Sequence, residues 1–202
     1  MTHITYGLFR AGVRDPSKTL ASYAGQKPPP TPYPSASASI ARFHREDPDS
    51  AWTRLDQSLA SSSYWGRKGT PQAGWADAIR SCFQVYRALA ESDQRASIAT
   101  GVNRELVISP DDIGVHVDVV LLDPNGYVPR IVLWDSNPFD HRRAVLYGAP
   151  VWRAMEEELG EGRVVGVEVW KLRTGDQEFV LPTEAEAAMP EVVQIARRIA
   201  GA

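Results

Sequence analysis

Two carboxylates interrupt apolar stretches in the second half of the chain. Asp118 lies between Val117 and Val119, and Asp135 directly follows Ile131, Val132, Leu133 and Trp134. A carboxylate within or at the end of an apolar strand is costly unless it is paired or binds a cation. Val115 to Leu122 and Arg130 to Trp134 both have strand composition, and Asp123, Pro124, Asn125 and Gly126 supply a turn between them. Acids on two such hairpin strands can face each other across the ladder. The pair suits magnesium, a hard cation that takes one or two carboxylates and keeps several waters. A second use of Asp135 competes: it starts and caps a turn through Ser136, Asn137 and Pro138. His116 shares the face of Asp118 by the two-residue period, as a ligand, a proton relay or a packed residue.

The string Gly114-Val115-His116-Val117-Asp118-Val119-Val120, the Gly126 turn and Ile131-Val132-Leu133-Trp134-Asp135-Ser136-Asn137 together resemble the PD-(D/E)XK nuclease superfamily, in its RecB-like branch. That branch has an Asp in one strand and a second strand ending in Asp-x-Lys. A helix with a Gln-x-x-x-Tyr motif and a further strand follow. Arg143 to Tyr147 stands at the helix motif, and Val164 to Leu172 with Gly175 stands at the later strand and its turn. The resemblance covers about residues 35–202. It implies an α/β (α+β-like) fold, a mixed central sheet flanked by helices with a restriction-endonuclease-like core. It implies Asp118 and Asp135 as ligands of magnesium or manganese, Ser136 as donor of a backbone carbonyl, and Glu105 as a third acid. His116 joins this candidate metal set.

Two positions depart from the pattern. Asn137 occupies the lysine position and carries no positive charge. Arg143 occupies the glutamine position and only donates, although a guanidinium can grip phosphate in a bidentate manner. Lys18, Lys27, Lys68 and Lys171 are all the lysines of the chain. Lys171, Arg142 or Arg143 could supply the missing basic group from another element; Lys171 otherwise reads as a surface residue, on the opposite strand face from Glu168 and Trp170. The catalytic candidates are thus Asp118, Asp135, Asn137 and Lys171. Arg142, Arg143 and Tyr147 are the nucleic-acid-binding candidates, with His141 beside them.

These residues need elements to hold them. Trp75, Ile79, Cys82, Phe83, Tyr86 and Leu89 recur at helical spacing between Gln72 and Glu91. Short helices are expected over Ser35 to Phe43 and from a cap at Asp49 or Ser50, with Trp52, Leu55 and Leu59 on one face. Leu106 to Ser109 reads as a short strand. A helix from Arg142 to Leu159 contains Pro150, which predicts a kink or restart. It can serve as a crossover between parallel strands. Val164 to Leu172 and Glu178 to Leu181 read as strands. Thr183 with Glu186 matches a capping box ahead of a last helix, with Pro190 in its first turn.

Residues 1–34 read differently. Ile4 to Phe9 suggests a short strand, and Pro28, Pro29, Pro30, Pro32 and Pro34 suggest an extended linker over residues 26–34. The segment is expected to be an N-terminal extension, mobile or docking a protein partner, ahead of a nuclease-like domain over residues 35–202.

Composition narrows the function. The chain has 202 residues, one cysteine and a net charge of −3. One cysteine excludes an intramolecular disulfide framework and a four-cysteine iron–sulfur cluster, and the scattered histidines give no zinc spacing. A reducing, cytoplasmic setting and no membrane span are expected. Trp134, Trp152 and Trp170 lie in apolar segments and suit packing more than base stacking. Three readings follow. The first is an eroded nuclease-like domain within a DNA-processing or defence assembly. The second is an active magnesium- or manganese-dependent DNA nuclease. The third is a protein-interaction scaffold without a nucleic-acid role.

Overall fold

The computed structural model describes residues 2–23, 33–61 and 74–201. The linker expected over 26–34 lies outside these residues except for Tyr33 and Pro34, and so does most of the loop after Ser61.

An antiparallel meander forms the centre: β2 (Ala96–Val107), β3 (Asp112–Asp123) and β4 (Gly126–Leu133). β3 is apolar on both sides because both are covered, as central strands require. Gly126 makes the β3–β4 turn at a φ of 152°, and a Cβ there would sit 2.4 Å from the carbonyl oxygen of Arg163. The chain then crosses through α6 (His141–Leu159) to β5 (Val167–Lys171), which runs parallel to β4, as expected for a crossover helix. β6 (Asp176–Val180) pairs antiparallel with β5, and α7 (Pro182–Ala200) closes the chain. This is the mixed α/β sheet flanked by helices that the sequence implies.

Two apolar layers sandwich the sheet. On one face α6 and α7 cover Val115, Val117, Ile131, Leu133, Val167 and Val169. On the other, α3 (Tyr33–Arg45), α4 (Pro48–Ser61) and α5 (Trp75–Ser92) cover Val119, Leu121, Val128, Val132 and Trp170. Cys82 is buried in this second layer, as its place in the α5 stripe predicts.

The first layer also contains the start of the chain. Ile4 to Phe9 forms no single strand: β1 (His3–Ile4) is followed by α1 (Tyr6–Arg14), capped by Thr5, whose hydroxyl accepts the Leu8 N–H. Ile4 and Phe9 are fully buried. Gly12 lets α1 approach α7, since a Cβ there would lie 2.5 Å from Ile199. β1 and α1, within the expected extension, therefore pack into the core through Ile4, Tyr6, Phe9 and Gly12, held by burial that single-segment periodicity does not reveal. A short helix, α2 (Leu20–Tyr23), follows α1.

Other boundaries shift. β2 is far longer than Leu106 to Ser109, because its exposed positions lack strand composition. Asp47, not Asp49 or Ser50, accepts the first N–H groups of α4. α7 begins at Pro182, with Glu184 accepting the Leu181 N–H, so Pro190 lies inside the helix. α6 continues through Pro150 as one helix.

Candidate functional site

The site lies where the sheet forks. Ile113 of β3 pairs with Leu106 of β2 on one edge and with Ile4 of β1 on the other. On that other edge β4 begins pairing only at Val119, opposite Arg130. From Arg130 to Leu133, β4 pairs on its opposite edge with β5. The stretch 114–118 therefore faces a gap, and Asp118 sits at its apex. The alternation of β3 also slips here: Val115 and Val117 belong to one layer, Val119 and Leu121 to the other.

Asp118 is buried, and its Oδ2 accepts the N–H of Val132 at 2.8 Å, which ties the two forked strands together. Its Oδ1 is buried with no hydrogen-bond partner. His116 Nε2 stands 3.4 Å from that oxygen, on the face expected. The Asp118 carboxylate raises the His116 pKa, opposed by burial and by the charge of Arg10. His116 Nδ1 is 2.8 Å from Asn103 Oδ1.

Asp135 caps its turn, as one of its two expected uses requires, and pairs with a lysine. Its Oδ1 accepts the Asn137 N–H at 2.9 Å, which caps the turn. The same oxygen lies 2.8 Å from Lys171 Nζ. Burial pushes the Asp135 pKa up, but these hydrogen bonds and the charges of Lys171 and Arg10 outweigh it, and the pKa is lowered. Lys171 is 3% exposed, not a surface residue, because β5 ends beside the end of β4.

Asp118 and Asp135 line one cavity of about 180 Å³ with Tyr6, Arg10 and Tyr33. Sequence reasoning missed these three because they belong to the segment read as an extension and linker. The available signal was Thr5 as a cap ahead of Tyr6, Phe9 and Val13 at helical spacing. The Arg10 guanidinium lies over the Tyr6 ring, 5.3 Å from its centroid, and the Tyr6 hydroxyl donates to the Tyr147 carbonyl at 2.7 Å.

The remaining candidates divide. Ser136 and Asn137 line a second cavity of about 220 Å³ that also touches Asp135. Glu105 is exposed and lies with His116 along a third cavity of about 600 Å³, away from the two aspartates. Tyr147 is buried in the first core layer and presents no surface. Arg142 pairs with Glu191 and Arg143 with Asp140, while His141 bridges Glu178 and Glu184. None of these lines the cavity of the acids. The two acids with one orphaned buried oxygen fit a small hydrated cation. Among the described residues, no three His, Cys, Asp or Glu side chains gather as an all-protein metal cage.

On the α5 side, Arg130 is fully buried. It donates to Glu168 at 2.7 Å, pairs with Asp93 and lies over the Trp170 ring, 3.5 Å from its centroid. Trp134, Trp152 and Trp170 are all buried, as packing residues should be.

No family model matches the chain, and no curated protein matches it in sequence. In structure it is similar to a "Putative exonuclease" from Eubacterium rectale, with a TM-score of 0.57 and 10% sequence identity, over 98% of this chain and 81% of that one. At this identity the likeness bears on the fold alone. No helix among the described residues is long and apolar enough to cross a membrane.

Proposed function

We propose that the chain is a divalent-cation-dependent nuclease of the RecB-like PD-(D/E)XK type, in which Lys171 supplies the basic group that Asn137 cannot. The observation that carries this reading is the buried Lys171 ammonium 2.8 Å from Asp135, at the sheet end that also holds Asp118. Bound magnesium or manganese would supply Lewis-acid stabilisation of phosphoryl charge and an acidified water. Asp118 and Asp135 would hold it, with Ser136 offering its backbone carbonyl. The Val132 N–H fixes the rotamer of Asp118, and the Asn137 N–H fixes that of Asp135. Lys171 places a positive charge beside Asp135, which would orient an attacking water and steady developing negative charge.

The same contact favours a second reading. An ammonium that already neutralises Asp135 weakens that acid as a ligand, as in an eroded domain kept for binding within a DNA-processing or defence assembly. Calorimetric titration of magnesium and manganese, with Asp118→Asn and Asp135→Ala as controls, decides between them when joined to cleavage assays on DNA. Binding lost in both variants with metal-dependent cleavage is the expected result. Binding without cleavage establishes the eroded reading. No binding up to millimolar metal overturns the metal-dependent nuclease and leaves the eroded reading, in which Asp135 is a weakened ligand.

A further inference from the structure

The contact between Lys171 and Asp135 depends on how far β5 is slid along β4. The two strands are parallel, and Lys171 stands opposite Leu133. A slip of two residues would keep every side chain on its own face of the sheet, yet it would carry Lys171 about 6.6 Å along the strand. Ile131, Leu133, Val167 and Val169 share one apolar layer. Aliphatic side chains of similar volume replace one another at little cost. The apolar pattern therefore fixes the face and leaves the register open.

The start of the strand does not fix it either. Tyr127 forms a parallel bridge with Val164. One more residue separates Val164 from Glu168 than separates Tyr127 from Arg130, so the register shifts between this bridge and the ladder.

The groups that discriminate are charged. Arg130 stands directly opposite Glu168. Its Nε donates to Glu168 Oε2 at 2.7 Å, its Nη2 pairs with Asp93, and its guanidinium lies over the Trp170 ring. Arg130 is fully buried. A two-residue slip would set Gly166 or Trp170 opposite it and take the Glu168 carboxylate away from a buried guanidinium, which is costly. A buried ion pair adds little stability over apolar residues of like volume, but it accepts one register only. Asp93 caps the end of α5, so the same cluster ties both strands to the helical layer. Further along, Val132 of β4 holds Asp118 through its N–H, and Lys171 of β5 holds Asp135.

We propose that Arg130 and Glu168 are positioning residues, whose buried pair sets the register of β5 on β4 and thereby places the Lys171 ammonium on Asp135. For its effect on cleavage this rests on the nuclease reading; the placement itself does not.

The test is a double variant, Arg130→Met with Glu168→Leu. It removes one charge of each sign and leaves Arg95 bidentate on Asp93, at 2.9 and 2.8 Å. No charge is orphaned, so the midpoint of urea unfolding should hold. Lys171 should nevertheless react with acetic anhydride about tenfold faster than in the parent, read by mass spectrometry of the natively labelled protein. Lys18, whose side chain is 42% exposed, is the internal standard. Leu59→Ala, which removes buried packing in α4, should lower the midpoint and leave the Lys171 rate unchanged. Glu168→Gln keeps the shape of the side chain and leaves Arg130 on Asp93. It should raise the rate severalfold, and it carries the test if the double variant does not fold.

Lys171 as protected in these variants as in the parent overturns the proposal. So does an equal gain of reactivity in Leu59→Ala, which would mark the effect as lost stability. A faster-reacting Lys171 in a protein that cuts no DNA keeps the positioning role and sinks the nuclease reading. Metal-dependent cleavage with an unchanged Lys171 rate does the reverse.

Discussion

Lys171 Nζ lies 2.8 Å from Asp135 Oδ1, which joins the end of β5 to the end of β4 across 36 residues of sequence. Lys171→Met should therefore lower cleavage by at least about a hundredfold, the scale of a lost proton-transfer or water-orienting group. Residue 137 sits against the same carboxylate through its N–H. The double variant Lys171→Met with Asn137→Lys should then recover part of the rate, measured on DNA at fixed magnesium. Full activity in Lys171→Met would remove Lys171 from the mechanism.

Arg130 is enclosed by Asp93, Glu168 and Trp170. Arg130→Met should cost about 3 kcal/mol, because two carboxylates lose a buried partner and keep only Arg95. The midpoint of urea unfolding measures this. A cost under about 1 kcal/mol would mean that Arg95 suffices.

Phe9 tests the standing of the first helix. It is fully buried between the sheet and α7, so Phe9→Ala should cost about 3–5 kcal/mol in urea. A mobile arm would show a change within about 0.5 kcal/mol.

His44 gives a pH dependence of defined sign. Its Nε2 is 2.6 Å from the Tyr86 hydroxyl. Burial, then the charge of Arg130, lowers its pKa from 6.5 to about 4, with Asp93 opposing. The unfolded chain thus takes up this proton at higher pH than the folded one. The contribution of His44 to stability is complete above about pH 6.5 and is lost as pH falls from there to about 4. His44→Phe should flatten the wild-type slope in that window, read from urea midpoints across it. An unchanged slope would show that other groups carry it.

The acid pair was legible because Asp118 and Asp135 break apolar runs, and burial makes such breaks expensive whatever the partners. The amphipathic stripe of α5 was legible for the same reason: Ile79, Cys82, Phe83 and Tyr86 repeat at the helical period and bury one face. β2 was poorly legible, since Ala96 to Glu105 is largely exposed and its pairing with β3 carries it. Glu105 was misplaced with it, because the register that sets it opposite Gly114 follows from that pairing. The cations of α6 looked available in sequence, yet Glu191, Asp140, Glu178 and Glu184 take them up from segments that only folding brings near.

By itself the sequence determined the hairpin, its two acids, the flanking amphipathic helices and the crossover order, all of which follow from local period and turn chemistry. Tertiary structure alone decided which cations meet those acids. Lys171 reaches Asp135 because α6 returns the chain to lie parallel to β4, and Arg10 reaches the same cavity because Phe9 and Gly12 dock α1 on the sheet and α7. Charge partners come from whatever segments packing brings together, and a one-dimensional pattern holds no record of that distance.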